Sequence, residues 1–148
     1  MGNQFSAPQD LKERIFSRID EHKTVTFAEL RWILGFSGEK TACIAPNVVV
    51  WTEISNEAIA AINELIADGR IIMQSYGSGW PGLMTYAFDR GILPLPLAKR
   101  VRPYKRPRWL PVYIAEAEWS RKLDERSNGG RPRRGRPPKK RFLTLGDN

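Results

Sequence analysis

From Arg131 to Arg141 the chain reads R-P-R-R-G-R-P-P-K-K-R, seven cations in eleven residues with no carboxylate and no large apolar side chain. A second run, K-R-V-R-P-Y-K-R-P-R, sets Lys99, Arg100, Arg102, Lys105, Arg106 and Arg108 around Tyr104. Guanidinium and ammonium groups at this density share one chemistry, the neutralisation of successive charges on a polyanion. The parts for covalent chemistry are sparse by comparison. His22 and Cys43 are the single residues of their kinds, so one chain cannot assemble a Cys/His zinc set. A Ser–His or Cys–His nucleophile would depend on His22 near a helix C-terminus, where an imidazole more simply complements the helix dipole. "GFSGEKTA" approaches a phosphate-binding loop, but Glu39 stands where the second glycine belongs, and a polar loop is expected there. No enzymatic activity, no metal and no other cofactor is expected.

Charge is divided along the chain. Residues 1–98 carry 8 Lys or Arg against 11 Asp or Glu, net −3, and residues 99–148 carry 16 against 5, net +11. Such asymmetry describes a polyanion-binding extension on a slightly acidic body, with nucleic acid as the first partner and an anionic membrane as the second. One cysteine excludes an intrachain disulfide and suits a reducing compartment. The sequence has neither an apolar run of about 18 residues nor a signal-peptide pattern, so an intracellular location is expected, at a nucleoid or in a nucleus.

Several elements must position these cations. Leu11, Ile15, Phe16 and Ile19 make a helical stripe. "TFAEL" reads as a capping box from Thr26 to Glu29, with Leu30, Ile33 and Leu34 following before Gly35, and Val25 just ahead suits a short strand. In "SNEAIAAINELIADG", Ser55 caps a third helix that Gly69 ends. "RIIMQSYGSGWPGLMTYAF" predicts a β-hairpin whose long tip spans Tyr76–Gly82. "NVVVW", inside a long connection between the second and third helices, predicts an added strand or a dimer contact. This order resembles a winged-helix domain over residues 9–90, which implies a third helix in the major groove and a wing on the backbone. The third helix departs from that pattern, offering Asn56, Glu57, Glu64 and Asp68 but no cation; only Arg70 and Arg90 flank the hairpin. A scaffold or dimerisation role for this body stands equally. Residues 1–98 are expected to fold alone and to bind DNA poorly.

Residues 91–111 change character. Pro94, Pro96, Pro103, Pro107 and Pro111 forbid helix and predict an extended basic neck. Tyr104 and Trp109 are placed either to stack on unpaired bases or to bury against the body, and Leu93, Leu95 and Leu97 to face inward. Residues 112–126 predict a short amphipathic helix with Val112, Ala115, Trp119 and Leu123 in a narrow stripe and a Glu118–Lys122 pair. That stripe needs the body or a second copy of the chain to cover it, so a homodimer through this helix or through the winged-helix-like body is one expectation. "SNGG" supplies a joint, and residues 127–148 are expected as a flexible, disordered tail.

Within that tail Arg134-Gly135-Arg136-Pro137, flanked by basic residues and prolines, resembles an AT-hook. The resemblance implies binding in the minor groove of A·T-rich duplex DNA. Elementary chemistry agrees: a narrow A-tract groove concentrates negative potential and draws in Arg side chains. Gly135 lets the backbone approach the groove floor, while Pro137 and Pro138 keep the exit extended. The guanine 2-amino group would obstruct the approach. Arg134 and Arg136 are the groove readers; Arg131, Arg133, Lys139, Lys140 and Arg141 complete the contact set, chiefly on phosphates. RNA is the alternative partner of a basic tail. A third reading comes from "MGNQFS", which fits an N-myristoylation pattern on Gly2 and would suit a polybasic membrane-associated protein. Together these readings give an α+β, winged-helix-like chain of three helices and a β-hairpin that binds DNA without catalysis. It would act as a transcriptional regulator or a chromosome-architectural factor.

Overall fold

The computed structural model describes residues 9–75, 80–127 and 141–146. Helix α1 (Gln9–His22) buries Leu11, Ile15 and Ile19, the stripe that its spacing of four dictates. Strand β1 (Thr24–Thr26) leads into the single turn of α2 (Phe27–Leu30). Thr26 Oγ1 accepts from the Glu29 N–H at 3.1 Å, as "TFAEL" foretells. In α3 (Asn56–Ala67) the Ser55 hydroxyl accepts from the Ala58 N–H at 3.0 Å, and the chain leaves through Gly69 at φ +74°.

Where a polar loop was expected, the chain forms β2 (Ser37–Ala45), paired antiparallel with β3 (Val48–Ile54). Pro46 and Asn47 make the turn, and Asn47 takes φ 61°, a left-handed conformation that Asn tolerates. Val48, Val49, Val50 and Trp51 are all buried, so "NVVVW" is the added strand, and the polar-looking residues before it supply its partner.

The second correction concerns the hairpin. Strand β4 (Ile71–Ser75) does not turn back into Leu83–Phe88, which belongs to helix α4 (Trp80–Phe88). Its partner is β6 (Val112–Glu116), in antiparallel register from Ile71 opposite Glu116 to Ser75 opposite Val112. Composition accounts for the exchange: Leu83, Met84 and Ala87 favour helix, whereas Val112, Tyr113 and Ile114 favour a pleated, half-buried surface. The helix expected over 112–126 therefore divides into β6 and α5 (Ala117–Ser127). The Glu116 carboxylate caps α5, accepting from the N–H groups of Glu118 at 2.8 Å and Trp119 at 3.0 Å.

Strand β6 also pairs with β1, giving a three-stranded sheet of order β1-β6-β4. Its middle strand lies beyond residue 98, so residues 1–98, expected to fold alone, do not contain the strand that joins the other two. A second sheet has the order β5-β3-β2-β7, with β5 (Arg108–Trp109) parallel to β3 and β7 (Thr144–Leu145) antiparallel to β2. The architecture is α+β, with five helices and two sheets among the described residues rather than three helices and a hairpin. One apolar core joins α1, α3 and both sheets. At its centre the Tyr86 hydroxyl donates to the Val112 carbonyl at 2.7 Å and accepts from the Phe27 N–H at 3.2 Å. That single side chain ties α4, α2 and β6 together. No helix among the described residues is long and apolar enough to cross a membrane.

Candidate nucleic-acid interface

The neck is a closed loop and not an extended strand. Trp109 is fully buried, edge-on to Tyr86 with ring centroids 5.1 Å apart. Burying so large a side chain draws the chain back onto the body. At the loop's base the Ala98 N–H donates to the Trp109 carbonyl and the Trp109 N–H to the Pro96 carbonyl, both at 2.7 Å. Leu93 is buried while Leu95 and Leu97 are partly so, which matches the inward placing of the three leucines. Trp109 is accordingly removed from any stacking on bases.

Tyr104 organises the loop's crown. Its phenol oxygen accepts from the backbone N–H groups of Lys99 at 3.2 Å and Arg100 at 3.3 Å. Its carbonyl accepts from Asn47 Nδ2 at 2.7 Å, and its N–H donates to the Pro46 carbonyl at 3.2 Å. The guanidinium groups of Arg108 and Arg102 lie 5.0 and 5.6 Å from its ring centroid. Burial opposes ionisation of this phenol, but the N–H groups of Arg100 and Lys99, with the Arg102 guanidinium, outweigh it and hold the hydroxyl below the usual phenol value. Lys99, Arg100, Arg102, Lys105, Arg106 and Arg108 are all exposed, and no carboxylate occurs from residue 90 to residue 115. The loop is a fixed cluster of cations pinned to the β2–β3 turn.

Helix α3 is placed differently from a groove-reading helix. Glu64 and Asp68 hold Lys12 at 3.6 and 3.0 Å, and the hydrogen bond that Lys12 donates to Asp68 is the first cause of its raised pKa. On the same helix the Asn63 side chain clamps the backbone of Leu143, donating to its carbonyl at 2.9 Å and accepting from its N–H at 2.7 Å. Leu143 is buried, the Thr144 hydroxyl donates to the Cys43 carbonyl at 3.1 Å, and the Gly146 N–H donates to the Thr41 carbonyl at 2.8 Å. Residues 141–146, expected within a flexible tail, are thus seated along the β2 edge and against α3. Leu143 and the free backbone edge of β2 explain it: one apolar side chain enters the core while a short strand satisfies exposed peptide groups. A sequence signal existed in the apolar alternation of Phe142-Leu143-Thr144-Leu145, eclipsed by the basic run before it.

Arg141 is exposed at the start of that seat. Arg131, Arg133, Arg134, Gly135, Arg136, Pro137, Lys139 and Lys140 lie outside the described residues. Of the two cations flanking the expected hairpin, Arg70 sits 3.9 Å over the Phe16 ring and pairs with Glu13 at 3.4 Å, while Arg90 is exposed at a turn with φ 55°. No family model matches the chain, and neither a curated protein nor a solved structure matches it.

Proposed function

We propose that the chain is a non-enzymatic DNA-binding protein, a transcriptional regulator or chromosome-architectural factor that uses the 99–108 loop and the Arg134–Pro137 motif. The observation that carries this reading is the loop itself, six exposed cations held around Tyr104 with no acid in reach along the chain. Pre-ordered cations lose less entropy on meeting a phosphate backbone than a free tail does. The element order also supports the reading. With β2–β3, α4 and β5 set aside, the order α1, β1, α2, α3, β4, β6, with β6 in the middle of its sheet, resembles a winged-helix arrangement. In this chain a β-hairpin is inserted before α3, and α4 with the 91–111 neck stands where a wing would be. Helix α3 has no cation and carries a strand of its own chain on its outer side, so the body serves as a platform and the basic segments make the contacts.

Three substitutions, assayed on matched A·T-rich and G·C-rich duplexes, test the motif. Arg136→Ala should cost about 1–3 kcal/mol more on the A·T-rich duplex, the loss of a base-reading arginine. Lys140→Ala should weaken both duplexes alike and lower the log–log salt slope by about one unit. Gly135→Ala changes no charge, yet a methyl group against the groove floor should weaken A·T binding. If all three behave alike, with no A·T preference to lose, the motif is only a basic run. A structured RNA that then competes better than either duplex would become the partner.

A further inference from the structure

We infer that the outer face of α4, continued by Ile92 and Trp32, is a self-association surface through which two copies of this chain pair about a two-fold axis. Among the described helices only α4 carries no charged residue, and the whole stretch from Ile71 to Phe88 carries none. Its inner side is taken up by the fold: Tyr86 is buried and Leu83 packs against the core. Its outer side is Met84, Ala87 and Phe88, at the i, i+3, i+4 spacing of one helical stripe, and all three are exposed. Phe88 is 85% exposed. A surface helix turns charge towards water, and a helix apolar all round is one that is covered all round.

The stripe continues beyond the helix. Arg90 takes φ 55°, its N–H donates to the Ala87 carbonyl at 3.0 Å, and the Gly91 N–H donates to the Tyr86 carbonyl at 2.9 Å. This left-handed stop sets the exposed Ile92 just past the end of α4. The Arg31 guanidinium joins the other part. It donates to the Asp89 carbonyl at 2.6 Å and lies 4.6 Å from the centroid of the Trp32 ring, which is 73% exposed. Phe88, Ile92 and Trp32 therefore surround one cation. Aromatic side chains, Met and Arg, without Lys, are the composition of an interface core.

Area and charge select the occupant. Met84, Ala87, Phe88, Ile92 and Trp32 present roughly 600 Å², the upper end of what a monomer leaves bare. An isologous pair would cover about 1,200 Å², the lower bound for a stable protein–protein interface. The chain carries a net charge of +8, so two copies repel wherever their cations meet. The uncharged face can approach itself without that repulsion. Tyr86, bonded to Val112 and Phe27, already holds α4 in place, so little order is lost on pairing.

The test is sedimentation equilibrium of the full chain, cleared of nucleic acid with nuclease, from about 1 to 100 µM. The mass should rise from one chain to two and stop there, with a dissociation constant on the order of micromolar. Added salt should leave the pair intact or strengthen it, because like charges are screened while apolar contact is not weakened. Met84→Glu combined with Phe88→Glu sets two carboxylates from each copy against each other and should weaken pairing at least about thirtyfold. Phe88→Ser alone should shift it in the same direction by less, and thermal melting of both variants checks that the body stays folded. Leu123→Glu, on the exposed side of α5, should leave the mass unchanged. A single chain at every concentration, growth past two, or a pair that salt dissolves would overturn the inference. So would a pair that survives the α4 variants and is lost in Leu123→Glu. Pairing is measured without nucleic acid, so its failure leaves the duplex reading standing.

Discussion

Tyr104 shows how one side chain turns a run of charges into a surface. Like charges repel, and ten residues with six cations would spread if nothing gathered them. The phenol oxygen takes two backbone N–H groups, and the backbone of the same residue is held by Pro46 and Asn47. Tyr104→Phe keeps the ring and every charge but frees Lys99 and Arg100. It should reduce duplex affinity while leaving the salt slope unchanged, since the number of phosphates met does not alter. The phenol also reports on its surroundings. Because its pKa is lowered on folding, the folded state favours the phenolate. That contribution is complete above the unfolded value of about 10 and is lost as pH falls through the folded value. Ultraviolet titration of the protein against its Tyr104→Phe variant should assign Tyr104 an ionisation below the ordinary phenol value. Saturating duplex should push it back up, because nearby phosphates disfavour a second anion. An ordinary or raised value for Tyr104 in the free protein would refute this account of the loop.

At the level of elements, what was legible in the sequence was local. The caps at Thr26 and Ser55, the stop at Gly69 and the stripe of α1 depend on residues within one or two turns, and each appears where the pattern puts it. Long-range pairing was not legible. Nothing in "IIMQS" says that its partner is "VYIAE" rather than the apolar run immediately after the turn. That choice is made by Tyr86, whose hydroxyl finds Val112 and Phe27 only when α4 is a helix beneath β6. The same logic separates the two basic runs. Trp109 and Leu110 give the first a buried root, and Leu143 seats the end of the second. Two variants probe the packing. Tyr86→Phe removes both buried hydrogen bonds of the hydroxyl and should cost about 1–3 kcal/mol of stability in denaturant melts. A Cβ on Gly91 would meet Ala28 Cβ at 2.4 Å, so Gly91→Ala should be destabilising by about 1–3 kcal/mol through overpacking where α2 meets the neck. A Gly91→Ala protein as stable as the parent would mean that the neck does not root there.

Seen whole, the molecule has one apolar core that roots the 99–108 loop through Trp109 and seats residues 141–146 through Leu143. Chain length and charge separate cleanly under truncation. Ending the chain after Ala98 removes the middle strand of the first sheet and the Trp109 anchor, and the fragment should show no cooperative melt in circular dichroism. Ending it after Ser127 keeps every strand except β7, with 17 Lys or Arg against 15 Asp or Glu. That fragment should melt cooperatively yet bind duplex far more weakly and with a smaller salt slope. A cooperative fold in the shorter piece would contradict the sheet order.

The central position of β6 carries a further consequence for a chain made one residue at a time. Strands β1 and β4 have no bond to each other; both wait for β6. On the ribosome the first hundred residues therefore emerge with their helices partly formed and their apolar faces open. The sheet closes only after residue 116 clears the exit tunnel. Closure over so long a separation is entropically slow compared with a local hairpin. Through that interval the apolar faces that β6 covers stay open to other chains, so aggregation during synthesis should fall once Val112–Glu116 has emerged.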